Sequence, residues 1–400
     1  MPVASFNDRV SAMQPSATLA MTARANQKKS QGHPVIGLSA GEPDFDTPAF
    51  IAEAAERAIR EGFTHYTNNK GLPALREAIR DKLAQQNGIH VGADDIVCSN
   101  GAKQSVAMAI SVLCGPGDEV LIPAPYWVSY PEMARFAGAT PVSVSTTVDS
   151  GYRLTAEQLE EAITPRTKLL ILCSPSNPTG GTYTPEQMDA LAAVLRRHPQ
   201  VWVLSDEIYE HIRYEVPHVS IGSLEGMADR TVTVNGFSKA YAMTGWRLGY
   251  LAAIPEVAAA VSKLQSQLTS APSSISQKAG LAALEMPHSV VQEMVAAFQA
   301  RRDYVLARLA ALDGVQCPRP DGAFYVFPSV KACYGRKAGD GTVVDSAETL
   351  CFHLLDAHNL ALVPGHAFGD PDGLRISYAA SMANLEEAMD RFETALGALH

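Results

Sequence analysis

No stretch of this 400-residue sequence is apolar for long enough to span a bilayer, which excludes a helical membrane protein. Met1 to Lys29 holds no continuous apolar run and no evident cleavage site, so a secretory signal is not expected. Asp8 argues against a transit peptide, and the expected compartment is the cytoplasm. The six cysteines are scattered with no Cys-x-x-Cys pair, as free thiols of a reducing compartment would be. The eleven histidines show no His-x-x-x-His or His-Glu-x-x-His spacing, and no metal is expected. Positive charge is also short, with 32 Lys and Arg against 42 Asp and Glu and a net charge of −10. Nucleic acid and anionic membranes are therefore excluded as main partners, since both require a basic face. Neither a Gly-x-Gly-x-x-Gly after an early strand nor a Gly-x-x-x-x-Gly-Lys-Ser/Thr occurs, which disfavours dinucleotide and nucleoside-triphosphate sites.

What remains is a long, ordinary globular chain, 46% apolar and 18% charged, with more residues than one core usually organises. Pro48–Arg60 and Leu72–Gln86 read as amphipathic helices, the first with Thr47 as N-cap and Pro48 at the first helical position. Short apolar runs follow at Glu119–Ile122, Lys168–Cys173, Val201–Ser205, Thr231–Asn235 and Leu248–Ala252. Each is bounded by turn residues and apolar on both faces, as strands of a covered parallel sheet are. Helical stretches such as Thr184–Arg197 separate them, giving a βαβ rhythm. A long helical stretch, Val290–Leu312, then opens a region of mixed short elements. The expected fold is α/β: a large domain over 48–290 with a mostly parallel sheet covered by helices. Residues 1–47 and 291–400 would form a smaller α+β domain from both chain ends.

Ligands of an open parallel sheet bind beyond the carboxyl ends of its strands. Lys168–Cys173 runs into Ser176-Asn177-Pro178-Thr179-Gly180, and Val201–Ser205 into Asp206-Glu207-Ile208-Tyr209. Thr231–Asn235 runs into Ser238-Lys239, with Arg247 eight residues on. One rim would thus collect Asn, Asp, Tyr, Lys and Arg. A lysine in a partly desolvated cleft has a lowered pKa and can form a Schiff base with an aldehyde. A buried carboxylate keeps a pyridine nitrogen protonated, making the ring an electron sink. Asn and Tyr can hydrogen-bond a phenolate oxygen, and Arg offers a fork to phosphate. Asn100-Gly101-Ala102-Lys103 opens an apolar helix whose small residues let amide groups approach a second side of that anion. Pyridoxal 5′-phosphate fits these parts best.

At these residues the sequence resembles the class I aminotransferases of the aspartate aminotransferase family, closest to its short bacterial branch. The resemblance is carried by Gln14–Thr18, Ala40–Pro48, Pro125–Tyr130, Ser176–Gly180, Ser205–Tyr209, Ser238-Lys239 through Arg247, Gly322–Tyr325 and Leu374–Tyr378. It implies that Lys239 holds pyridoxal phosphate and later shuttles the substrate's α-proton, while Asp206 pairs with the ring nitrogen. It implies that Asn177 and Tyr209 bind the phenolate oxygen and that Trp127 stacks on the ring. Gly101, Ala102, Lys103 and Arg247 would surround the phosphate. Tyr66 would reach the phosphate of a neighbouring subunit, which implies a homodimer with shared sites. Arg375 would grip the substrate α-carboxylate beside Gly41, Trp127 and Asn177. Lys103, with Ser16 and Thr18, would take the distal carboxylate of aspartate. Prephenate use is linked in that branch to a lysine just before the Pro-Ser pair, where this chain has Gln14.

The implied reaction moves an amino group from a dicarboxylic amino acid, aspartate first, to 2-oxoglutarate by a ping-pong mechanism. The alternatives are prephenate or aromatic and neutral amino acids as substrates, or a lyase on the same scaffold. A DNA-binding regulator on this fold would need a further domain and a basic face. Plainer readings exist for single residues: Asp206 as a helix cap, Trp127 as core, Lys103 as a solvated helix-start lysine. His33, His65 and His366 have no partner spacing and are read as surface or packing residues.

Overall fold

The computed structural model describes residues 7–400. Its main sheet has seven strands: β1 (Ile96–Ser99), β2 (Glu119–Ala124), β3 (Thr140–Ser145), β4 (Thr167–Cys173), β5 (Trp202–Asp206), β6 (Thr231–Gly236) and β7 (Gly249–Ala252). Their order across the sheet is β1-β7-β6-β5-β4-β2-β3. The five from β3 to β6 run parallel, while β7 is antiparallel to both β6 and β1. The expectation of a mostly parallel sheet holds, but Leu248–Ala252 is not one of its parallel strands. Twelve residues separate β6 from β7, and they form no helix that could carry a parallel crossover.

The sheet is covered on both faces, and β4 shows why its sequence is a continuous apolar run. Leu169 and Ile171 fall in one buried cluster with Val106, Ile110 and Val261 from two helices. Leu170 and Leu172 point the other way, against Leu159, Leu191 and Leu195. Each of these strand leucines stabilises the fold by about 1.5–3 kcal/mol through burial. A third large cluster draws on both chain ends: Met21 and Ala25 of the helix Ala17–Ser30 pack with Phe298, Val305, Leu350 and Phe392. The short strand Ile36–Gly37 pairs in parallel with Leu360–Ala361. Three further strands, β8 (Tyr325–Val326), β9 (Val363–Pro364) and β10 (Leu374–Ser377), form a small antiparallel sheet in the order β9-β10-β8. Among the described residues no helix is long and apolar enough to cross a membrane.

Three local expectations are corrected. The first amphipathic helix spans Ala49–Arg60 with Pro48 at its cap. Thr47 does not cap it, because its hydroxyl donates to the Ala242 carbonyl (2.7 Å) and accepts from Trp246 Nε1 (2.9 Å). The second helix ends at Lys82 and widens into a π turn over Leu83–Asn87. The long C-terminal helix covers His288–Ala310.

That π turn turns Asn87 inward, to a buried charge cluster behind β5. Asn87 Nδ2 donates to Glu210 (2.6 Å), Glu207 (3.1 Å) and Ser220 (2.9 Å), and the Lys82 ammonium pairs with Glu210. His218 Nε2 lies 2.9 Å from Glu207. Burial alone would lower the His218 pKa, but Glu207 and Glu210 hold it above its ordinary value. Glu207, Glu210 and His218 bring ligating atoms within 4.8 Å of one another. Ammonium and amide hydrogens already aim at those carboxylates, so the arrangement is a self-compensating set of charges.

Candidate active site

Six of the seven strands point their carboxyl ends at the same edge of the sheet, and the reversed strand β7 starts there. β1 ends in Asn100-Gly101 and the helix Ala102–Leu113, while β4, β5 and β6 release the Asn177, Asp206 and Lys239 segments. Arg247 arrives just before β7 enters the sheet. One cleft is lined by Ala102, Lys103, Trp127, Asn177, Asp206, Tyr209, Lys239, Arg247 and Arg375. Ser16, Thr18 and Gly41 from the N-terminal segment close another side. The spatial convergence expected from the strand ends is therefore present. Gly101 lies just behind the lining, and Tyr66 is elsewhere, fully solvent-exposed at 101%.

Asp206 is buried at 5% exposure, and one carboxylate oxygen accepts from the Tyr130 hydroxyl (2.7 Å), the other from the Ile208 amide (3.3 Å). Burial pushes its pKa up to about 6, with the Tyr130 hydrogen bond opposing the rise. A buried carboxylate in that state is ready for a cationic partner such as a pyridinium. Lys239 Nζ donates to the Gly41 carbonyl (2.5 Å). Burial lowers its pKa to about 8, with Glu42 opposing and Arg375 and Arg247 reinforcing the drop. In the cofactor-free protein, reductive methylation of Lys239 followed by mass spectrometry is expected to rise with pH through a midpoint near 8. The neutral amine is the nucleophile, so the rate increases above that pH. A midpoint near that of free lysine would contradict this desolvated placement.

The anion-binding end is built from backbone and cations. Gly101 has φ +84°, and a Cβ there would lie 2.4 Å from Arg247 Nη2. Glycine lets the chain turn into the helix while the guanidinium sits against it. The helix Ala102–Leu113 has no side-chain cap, so its first amide groups stay available to an anion. Arg247 donates to the Thr244 carbonyl (2.9 Å) and to the Asn100 carbonyl (3.2 Å). Lys103 Nζ lies 5.1 Å over the Trp127 ring, and its pKa is lowered by burial and by Arg247.

At the opposite side Arg375, 2% exposed, donates to Asn177 Oδ1 (2.9 Å) and the Ser39 carbonyl (2.6 Å). Its Nε has no protein partner although it is buried. Tyr209 is 3% exposed, with its hydroxyl 3.0 Å from that of Tyr325. Ser16 is committed differently from expectation: its hydroxyl caps the helix Ala17–Ser30 by accepting from the Leu19 amide (3.4 Å).

Two buried tyrosines, Tyr130 and Tyr325, belong to this site although no pattern in the sequence assigns them a role. Tyr130 also meets Trp127 edge to face at 5.2 Å. Both lie inside stretches that carry the family resemblance, which is the one signal that could have pointed to them.

These donors suit a phosphorylated pyridine: a carboxylate for its nitrogen, a helix start with Arg247 for its phosphate, Asn177 and Tyr209 for its phenolic oxygen, and Lys239 for its aldehyde. A family model described as aminotransferase class I and II matches residues 33–392. Over 396 residues the chain is 51% identical to a bifunctional aspartate aminotransferase and glutamate/aspartate-prephenate aminotransferase of Petunia hybrida, covering 98% of this chain and 83% of that one. It is 46% identical over 393 residues to an aspartate/prephenate aminotransferase of Cereibacter sphaeroides, with 98% of each chain covered. The crystal structure of the aspartate aminotransferase from Rhizobium meliloti aligns with a TM-score of 0.96 at 45% identity, covering 99% of this chain and 100% of that chain.

Proposed function

This chain belongs to the class I and II aminotransferases, and from that premise we propose that it carries pyridoxal 5′-phosphate on Lys239 and transfers the amino group of aspartate to 2-oxoglutarate. The observation that carries the reading is the single cleft lined by Lys239, Asp206, Asn177, Tyr209, Arg247 and Arg375. When bound, the cofactor supplies an electron sink that makes the α-proton of an amino acid removable.

The chain's own residues do the rest. Arg375 holds the α-carboxylate in a charge-assisted fork, beside the Gly41 backbone. That contact would fix the α-carbon near Lys239, whose lowered pKa would let Nζ take the α-proton and hand it to the cofactor's aldehyde carbon, one nitrogen away. Asp206, ionised and oriented by Tyr130, stabilises positive charge on the ring nitrogen. Asn177 and Tyr209 donate to the phenolic oxygen, and Trp127 covers one face of the ring. Arg247, Lys103 and the amides after Gly101 hold the phosphate. Tyr66 points away into solvent, as a residue completing a neighbouring subunit's phosphate site would, and the protein is read as a homodimer. The cytoplasm is the proposed compartment, a reading supported by the six free cysteines.

Lys103 lines the cleft together with Ser16 and Thr18, where the distal carboxylate of aspartate would reach. Lys103→Ala is expected to lower kcat/KM for aspartate and glutamate about 10- to 100-fold, the worth of one charge-assisted hydrogen bond. Monocarboxylic donors should change less than about threefold. A substrate panel measured at equal cofactor occupancy checks this, and equal losses for all donors would remove Lys103 from the specificity role.

The activity itself is tested by a single turnover with aspartate in the absence of acceptor. Conversion of bound cofactor to its amine form with equimolar release of the 2-oxo acid supports transfer. Ammonia or carbon dioxide released instead would identify a lyase. Prephenate is the second acceptor to include, because two relatives sharing 51% and 46% of the sequence are named for it.

A further inference from the structure

We propose that Tyr325 is a positioning residue for amino-group transfer, its hydroxyl setting the direction in which the Tyr209 hydroxyl donates. The inference rests on the reading in which Tyr209 binds the cofactor's phenolic oxygen and Arg375 the substrate carboxylate.

Tyr325 opens β8 and is completely buried, at 0% exposure. β8 pairs with β10, with Tyr325 opposite Ser377. The neighbouring strand thus delivers Arg375 to the same place, and its guanidinium carbon lies 4.6 Å over the Tyr325 ring. The ring is held further by Tyr209, edge to face at 5.9 Å, and by Phe324 at 4.7 Å. The hydroxyl occupies room that only glycine leaves: a Cβ on Gly41 would lie 2.9 Å from it. The ionisable groups facing this hydroxyl are Tyr209, Arg375, Cys173 and Glu42.

The two hydroxyls, 3.0 Å apart, share one hydrogen bond, so one donates and the other accepts. If Tyr209 donated to Tyr325, its only proton would be spent there and it could not donate to a ligand. Arg375 lies closer over the Tyr325 ring (4.6 Å) than Lys239 Nζ lies over the Tyr209 ring (5.9 Å), so its charge draws more electron density from Tyr325 and makes that phenol the better donor. Tyr325 then donates to Tyr209, and the Tyr209 proton is left pointing outward. A donor that itself accepts a hydrogen bond is polarised and donates more strongly. Tyr325 is in contact with both Arg375 and Tyr209. A phenylalanine would fill the same space and would satisfy packing alone.

The test uses cofactor-loaded protein and reads the pH at which the visible absorbance of bound cofactor changes, which does not depend on turnover. A donor to the phenolic oxygen stabilises its negative charge and lowers that pH, so Tyr209→Phe should raise it. Tyr325→Phe is expected to raise it by about 0.5–1 unit, and to add nothing in the Tyr209→Phe background. Replacing Tyr325 with 3-fluorotyrosine keeps the shape and strengthens the donor, so the midpoint should fall. Shifts below about 0.2 unit from both replacements, or a Tyr325→Phe shift undiminished in the double variant, would overturn the proposal. If Tyr209→Phe itself left the midpoint unmoved, the phenolic-oxygen reading would fail and this inference with it. A protein that took up no cofactor would end both at the earlier step.

Discussion

Lys239→Ala is expected to lower kcat by at least about 10⁴-fold, the upper range for loss of a proton-transferring group. It should also abolish the covalent cofactor's visible absorbance. On the proposed reading the amine performs two duties in sequence, holding the cofactor and then moving the α-proton, and no other lysine shares its position. Lys103, the other amine in the cleft, sits over Trp127 at the anion end. The fold should survive, because the Lys239 side chain makes one hydrogen bond, to the Gly41 carbonyl, and its ammonium is penalised by burial and by two nearby arginines. A change in stability within about 1 kcal/mol is expected from a thermal melt. Activity above one per cent of the parent in a correctly folded variant would refute the assignment.

Arg375→Ala is the second large effect. The guanidinium is already desolvated and pinned, so little further entropy is lost when a carboxylate binds it. Truncating one partner of a buried charge pair costs about 2–5 kcal/mol, which puts kcat/KM down about 10³-fold for every amino acid alike. Arg375→Lys keeps the charge but not the fork, and should recover only part of that loss. The variant also strands Asn177 Oδ1 and the Ser39 carbonyl, each at about 1–3 kcal/mol if left unpaired, so its melting temperature should fall. Cofactor absorbance should persist. Selective loss with dicarboxylic donors only, instead of a uniform one, would exchange the roles given to Arg375 and Lys103.

The rim of the sheet was readable because its strands are short apolar runs that stop at conspicuous polar residues. Cys173 before Asn177, Asp206 at the end of β5 and Lys239 after β6 are sequence neighbours of their strands, so placing the strands placed them. Direction was not readable in the same way: the run at Leu248–Ala252 is as apolar as its parallel neighbours, and only its pairing reveals the reversal. Thr47 looks like a helix cap until Trp246, 199 positions away, claims its hydroxyl. Tyr130 and Tyr325 escaped for the same reason, since each acquires meaning from a partner 76 and 116 positions distant. Asn87 is an unremarkable polar residue before a glycine, and the π turn that aims it at Glu207 and Glu210 has no signature in composition. Contacts of that span follow from the finished packing and not from local propensity.

The proposed grip on the substrate carboxylate is stitched from three distant parts of the chain: Ser39, Asn177 and Arg375. On the proposed reading, a chain without the strand bearing Arg375 would keep Lys239 and the anion cradle at Gly101 and Arg247 but would lose its hold on the amino acid's carboxylate. Hold on the carboxylate therefore depends on the strand bearing Arg375 lying beside the segment that holds Ser39.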